Sequence, residues 1–255
     1  MSGLSEMDPE RPHQARVYDY LLGGACNFEP DRIFAEKFLA AMPHVGIAAR
    51  LNRHFLQRAV RYCLDQGIHQ FLDLGSGIPT VGNVHETAPG AHVVYVDKDP
   101  IAVACGDVEL RDVPTAETVH ADLCDPDAVL GSAAVRNLID FTKPVAVLMV
   151  AVLHYIPDPH PAITRYVAEM APGSFLVLSH GTGDGNPDNG EDVVRLHEGA
   201  GVLPSPRTHA EVTALCADLH LVPPGVVWTP LWRPDSAPIT NPTDAMSYAA
   251  VARRA

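Results

Sequence analysis

The stretch Asp73-Leu74-Gly75-Ser76-Gly77, with Asp97 twenty residues after Gly77, carries the most chemical information in this chain. Two glycines one residue apart let a backbone turn sharply and approach a ligand, because neither has a Cβ. An acid at the end of the next strand can accept hydrogen bonds from both hydroxyls of a ribose. Asp73 would repel a phosphate and suits an ammonium group. A dinucleotide fingerprint has its third glycine three residues after Gly77, where this chain has Thr80 preceded by Pro79. No basic side chain stands in the turn, and the Gly-Lys-Ser/Thr ending of a P-loop is missing. The pattern favours an adenosine compound without a pyrophosphate, which points to S-adenosyl-L-methionine. His154 and Tyr155 follow a nine-residue apolar run, Val145 to Leu153. A histidine there could take a proton from an acceptor near neutral pH, although packing under the cofactor is the simpler reading. The 13 histidines contain no H-E-x-x-H and the 5 cysteines no C-x-x-C, so no metal site is expected.

These residues need elements to hold them. Gln70–Leu74 reads as a strand running into the glycine turn, and His92–Asp97 as a second strand ending on the acid. Residues 145–150 and 174–179 are near-continuous apolar runs, as expected of parallel strands buried on both faces. Apolar residues from Leu51 to Leu64 recur at helical spacing, and Gly67 is a natural stop. Further helices are expected near 100–110, 126–140, 160–171 and 208–219. Strands alternating with helices predict an α/β fold with a doubly wound, mostly parallel sheet. Residues 225–228 and 248–251 read as two strands of a hairpin closing one sheet edge, joined by a loop rich in proline and aspartate.

With these stretches in view, the chain resembles a class I S-adenosylmethionine-dependent methyltransferase, in particular the bacterial family first catalogued as domain of unknown function 574. The likeness rests on Ala15 to Gly24, Asn27-Phe28, Asp31-Arg32, Phe71 to Thr80, Val94 to Pro100 and Leu153 to Ile156. It continues late in the chain with Pro224 to Val227 and Trp232 to Pro234, and so spans about 15–252. The resemblance implies a Rossmann-like seven-stranded sheet whose last strand runs antiparallel. It implies that Asp73, Gly75 and Gly77 cradle the methionine part of the cofactor and that Asp97 binds the ribose, with Ser76 and Lys98 as further cofactor-binding residues. Asp122 would meet the adenine amino group with Leu123 beside the ring, and Ala151 to His154 would line the floor near the methyl group. Tyr18 and Asn27 belong to an N-terminal block that could close over cofactor and substrate, with Gly23-Gly24 as hinge. The implied activity is methyl transfer to a small-molecule acceptor. The alternative is a non-catalytic module that binds S-adenosylmethionine or S-adenosylhomocysteine on the same fold.

Composition narrows the partners. The 255 residues carry 18 Lys+Arg against 31 Asp+Glu, a net charge of −13, which disfavours nucleic acid and anionic membranes. No apolar run approaches the roughly 20 residues needed to span a bilayer, and the first residues lack a signal-peptide pattern. A cytoplasmic protein with reduced thiols is expected. Residues 1–44 read as an N-terminal extension or lid, the first 14 of them mobile, and 45–255 as the cofactor-binding domain. Arg50, Arg53, Arg58 and Arg61 read as a solvated helix face, from which Arg53 alone could reach a cofactor carboxylate. Trp228 and Trp232 read as packing residues, Cys63 as core, and 180–185 as a flexible glycine-rich loop.

Overall fold

The computed structural model describes residues 8–185, 204–237 and 241–255. Its layers follow from the two-residue period of the strands. In β1 (Gln70–Leu74), Phe71 is buried toward one layer of helices, and Leu72 and Leu74 toward the other. The same parity divides β2 (His92–Asp97), β4 (Ala146–Val150), β5 (Phe175–Gly181) and β8 (Ser247–Arg253). Val94, Val147, Met149 and Leu178 share a core with α7 (Ala133–Leu138) and α8 (His160–Glu169). Val93, Leu148, Phe175 and Val177 pack on Phe55, Leu56 and Ala59 of α3 (Val45–Asp65). Asp73 has the parity of Phe71, so it lies on the α3 side of the sheet. That placement decides the chemistry of the site.

With β3 (Ala116–His120) at one edge, the strand order is β3-β2-β1-β4-β5-β8-β6, parallel from β3 through β5. β8 runs antiparallel to β5. The sheet has eight strands rather than the expected seven. β6 (His220–Leu221) and β7 (Val227–Trp228) both pair antiparallel with β8, at 252–253 and 248–249. They lie along the edge of β8 that β5 leaves open. Pro223 and Pro224, which have no N–H to offer the ladder, divide what would be one strand into two. The hairpin expected at this edge is thus β7 with β8.

Other differences are local. The helix expected at 126–140 is two, α6 (Pro126–Leu130) and α7, because Gly131 ends the first and the Ser132 hydroxyl caps the second by accepting from Val135 N–H. The helix expected at 208–219 covers only α9 (His209–Ala214), and α3 begins six residues earlier than the apolar periodicity suggested. His180 and Gly181 are strand residues, and His180 is fully buried, so the loop expected at 180–185 begins only at Thr182. Burial drives the His180 imidazole down to about 4. Of the N-terminal stretch expected to be mobile, residues 1–7 lie outside the described residues, but His13 is fixed: its Nδ1 lies 3.0 Å from Asp99. Arg58 is not solvated, since its guanidinium donates to Trp232 O at 2.9 Å and Thr229 O at 2.7 Å. Trp232 packs edge-on against Phe55 and Tyr62, and Trp228 lies against Tyr248. Among the described residues no helix is long and apolar enough to cross a membrane.

Candidate active site

The glycine turn leaves β1 in a backbone conformation that requires glycine: φ is +69° at Gly75 and +66° at Gly77. A Cβ on Gly75 would stand 2.3 Å from Val152 Cγ2, whereas one on Gly77 would meet nothing closer than 4.0 Å. Gly75 is therefore needed for close packing, and Gly77 faces open space. Asp97 fixes the turn. Its Oδ2 accepts the Gly77 N–H at 2.7 Å and its Oδ1 accepts the Asp99 N–H at 2.8 Å. Each oxygen keeps a second lone pair, which is what two ribose hydroxyls need. Burial pushes the Asp97 carboxyl up, against the pull of those two amides.

Above the turn lies a cavity of about 570 Å³, within the range of small-molecule sites. Asp73, Gly75, Ser76, Gly77, Asp97 and Lys98 line it. So do Asp122, Leu123, Ala151, His154, Tyr155 and Tyr18. The structure does not bring Asn27 to the wall. Its amide donates to Asp19 Oδ2 at 2.8 Å and to Gly24 O at 3.0 Å. The expected hinge is also a packing point, because a Cβ on Gly24 would stand 1.9 Å from Asp19 Oδ1.

Arg53 of α3 and Asp73 of β1 line the same cavity. Desolvation pushes the buried Asp73 carboxyl up to about 7, opposed by the nearby Arg53 charge and reinforced by Asp97. Arg53 Nε is buried with no hydrogen-bond partner among the described residues, and the guanidinium lies 5.8 Å from the centroid of the Tyr18 ring. A buried carboxylate and a guanidinium with an unmet donor on one cavity wall are the complement of an α-amino acid, which brings an ammonium and a carboxylate. The residues present fit the methionine end of S-adenosyl-L-methionine.

The N-terminal helices α1 (Gln14–Leu21) and α2 (Glu29–Ala41) cover the cavity from the α3 side, where Val17, Leu21, Ala35 and Met42 pack with Val45 and Ala49. Arg16, almost fully buried, bridges Asp31 at 3.4 Å and Asp99 at 3.8 Å, tying both helices to the end of β2. A directed chain of hydrogen bonds then joins α1 to the cavity floor. Ala151 N–H donates to Ser179 Oγ (2.9 Å), which donates to Asn52 Oδ1 (2.5 Å). Asn52 Nδ2 donates to Tyr18 Oη (2.9 Å), whose hydroxyl donates to Ala49 O (3.0 Å). Ala151 has φ +56°, a strained value for a residue with a Cβ, at the point where β4 turns into the short 3₁₀ turn Leu153–Tyr155. Asn52→Leu, similar in size but unable to bridge, is expected to cost about 1–3 kcal/mol of stability, because both hydroxyl partners lose a bond. Thermal melting reads the cost and hydrogen exchange reads α1. Exchange in α1 unchanged from wild type would mean that the chain does not hold α1 down.

Sequence reasoning passed over Asn52 and His13 and gave Arg53 second place. The signal for Asn52 was a polar residue three positions before Phe55 on the apolar stripe of α3. His154 Nδ1 accepts the Gly181 N–H at 3.4 Å, and its ring lies against Tyr155. Burial raises the Tyr155 hydroxyl to about 12, so it remains a hydrogen-bond donor at neutral pH. Among the described residues His85, Glu86 and Glu109 bring three possible metal ligands together, and none of them lines the cavity.

A mostly parallel sheet and a glycine turn answered by a strand-end acid, with Asp73 and Arg53 on the same cavity wall, are features of a methyltransferase fold. Residues 2–255 match the family model described as S-adenosyl methyltransferase. The chain belongs to that family, and S-adenosyl-L-methionine is its cofactor. It is similar to a candidate methyltransferase from Thermobifida fusca, at 39% identity over 96% of this chain and 95% of that one, with a TM-score of 0.90. It is also similar to a protein of the domain-of-unknown-function 574 family from Streptomyces avermitilis, at 35% identity over 97% and 99% of the two chains, TM-score 0.92. Geranyl diphosphate C-methyltransferase from Streptomyces coelicolor shares the fold at 17% identity over 78% of each chain, TM-score 0.51. No curated protein matches the sequence at a significant level.

Proposed function

We propose that this enzyme methylates a small molecule held in the 570 Å³ cavity beside Asp73, Arg53 and the glycine turn. The observation that carries the reading is that Asp73 and Arg53, a buried carboxylate and a guanidinium whose Nε has no partner among the described residues, line one cavity together with the glycine turn. S-adenosyl-L-methionine supplies an electrophilic methyl group, whose bond to sulfur breaks as the bond to the acceptor's nucleophile forms. Asp73 holds the ammonium of the amino-acid end and Arg53 its carboxylate. Asp97 takes the ribose hydroxyls while keeping Gly77 in place. Asp122 and Leu123 border the adenine, and Lys98 lies beside the ribose. Ala151 to Tyr155 form the floor at which nucleophile and methyl meet, and α1 with α2 act as the lid that residues 1–44 suggested. Much of the rate then comes from holding the two reactants in line.

We assign His154 a positioning role. With Nδ1 accepting from Gly181, the neutral ring carries its proton on the other nitrogen, so deprotonating an acceptor would cost that contact. The net charge of −13 favours a small molecule over nucleic acid, and the five free thiols suit the cytoplasm.

Titration calorimetry with S-adenosylhomocysteine, beside NAD, tests the assignment. Binding of the first at micromolar concentration, with no heat from the second, is the expected result. NAD binding, or silence from both, would overturn it.

A further inference from the structure

The strand order divides the cavity. The ends of β1, β2 and β3 border its cofactor half. The ends of β4 and β5 and the beginning of β8 border the other half, where Gly181 lies opposite Ser247 in register. That second half, roofed by α1, α2 and the first turns of α3, is walled by Leu21, Phe38, Met42, Val45, Ile156 and Met246. Resting on the methyl-donor reading above, we propose that the acceptor is an uncharged, largely apolar molecule, and that Met246 and Ile156 set this specificity.

Charge placement carries the inference. Among the described residues, the basic groups on the cavity wall are His13, Arg53, Lys98 and His154. His13 lies 3.0 Å from Asp99, Arg53 stands by Asp73, and Lys98 follows β2, all on the cofactor side. His154 accepts the Gly181 N–H, the arrangement of a neutral ring. The carboxylate on the acceptor side is Asp184, whose Oδ2 already accepts from Tyr248 Oη and His209 N–H, each at 3.0 Å. Asn52 and Tyr18 are engaged in the chain that reaches Ala151. Among the described residues an anionic acceptor would shed its hydration and find no counter-charge on this side, and a cationic one would find one carboxylate, already shared with Tyr248 and His209, and no second. An apolar molecule loses nothing, and the unbranched methionines adapt to its outline.

Three naphthalenes of one size separate the cases near neutral pH: 1-naphthol, which is neutral, 1-naphthoate, and 1-naphthylmethylammonium. Each is titrated into protein saturated with S-adenosylhomocysteine, whose own binding is measured first. Naphthol is expected to bind at least about tenfold more tightly than either ion, the order of penalty for an unpaired buried charge. Met246→Lys, at a half-buried position where a lysine stem can still cover the wall, is expected to improve naphthoate binding about tenfold and leave S-adenosylhomocysteine binding unchanged. Ile156→Lys is the second variant, should the first fail to fold, and it is expected to shift the preference the same way. Tighter binding of either ion by the wild type, equal binding of all three, or no binding of any while S-adenosylhomocysteine binds would each overturn the inference and spare the cofactor assignment. Failure to bind S-adenosylhomocysteine would overturn the cofactor assignment, and with it the inference.

Discussion

Asp97→Ala is expected to weaken binding of S-adenosylhomocysteine at least about a hundredfold, close to 3 kcal/mol, the upper range for a charged hydrogen-bonding group. Two losses add. The ribose hydroxyls lose their carboxylate, and the Gly77 and Asp99 N–H groups lose the acceptors that shape the turn at 2.7 and 2.8 Å. Asp97→Asn keeps one acceptor oxygen, so it is expected to fall between the variant and the wild type. Calorimetry measures the affinities, and a melt of each variant shows whether the fold survives. An Asp97→Ala protein that melts as a folded domain and binds like the wild type would remove Asp97 from the site.

Asp73→Asn is expected to act in opposite directions on the free protein and on the complex. Burial raises the Asp73 carboxyl from 3.8 to about 7, with Arg53 pulling the other way. For a carboxyl raised on folding, the contribution to stability is fully present below pH 3.8 and is lost as pH rises through about 7. The free wild type therefore loses stability across that window, and Asp73→Asn does not. At pH 8 the ligand-free variant is expected to melt higher, by about 2–4 °C for each kcal/mol no longer lost. Cofactor binding changes the other way. The ammonium needs the ionised carboxylate, so wild-type affinity for S-adenosylhomocysteine is expected to climb up to about tenfold per pH unit below 7. The variant is expected to bind about 10–100-fold more weakly at pH 8, with little pH dependence. Melting and calorimetry on both proteins at matched pH give the two comparisons. Equal pH slopes would show that another group governs ammonium binding.

These two residues mark how far the sequence could be read. Asp97 was legible because a strand, a glycine turn and a strand-end acid are spaced by local geometry. The central strands and Gly75 and Gly77 were legible for the same reason, since buried apolar runs and positive φ values leave local signatures. Arg53 and Asp73 are twenty residues apart, on a helix and a strand, and only the parity of β1 against α3 brings them to one cavity. Asn27 matched a family stretch, but Asp19 and Gly24 hold it off the cavity wall. The strands expected at 225–228 and 248–251 pair as β7 and β8, whereas the short β6 ahead of Pro223-Pro224 was not anticipated, since only its register on β8 makes it a strand.

The sequence alone determined the doubly wound sheet, the glycine turn, the acid at the end of β2 and so the class of cofactor, because each follows from periodicity or spacing over a few residues. Tertiary structure decided how the N-terminal helices close the cavity. It also decided the Asn52 chain joining residues 18 and 179, the convergence of Arg53 and Asp73 on one cavity, and the apolar wall that the N-terminal helices give that cavity. Those contacts join distant parts of the chain. Pairing across such distances depends on how whole layers pack, and no local pattern of residues encodes it.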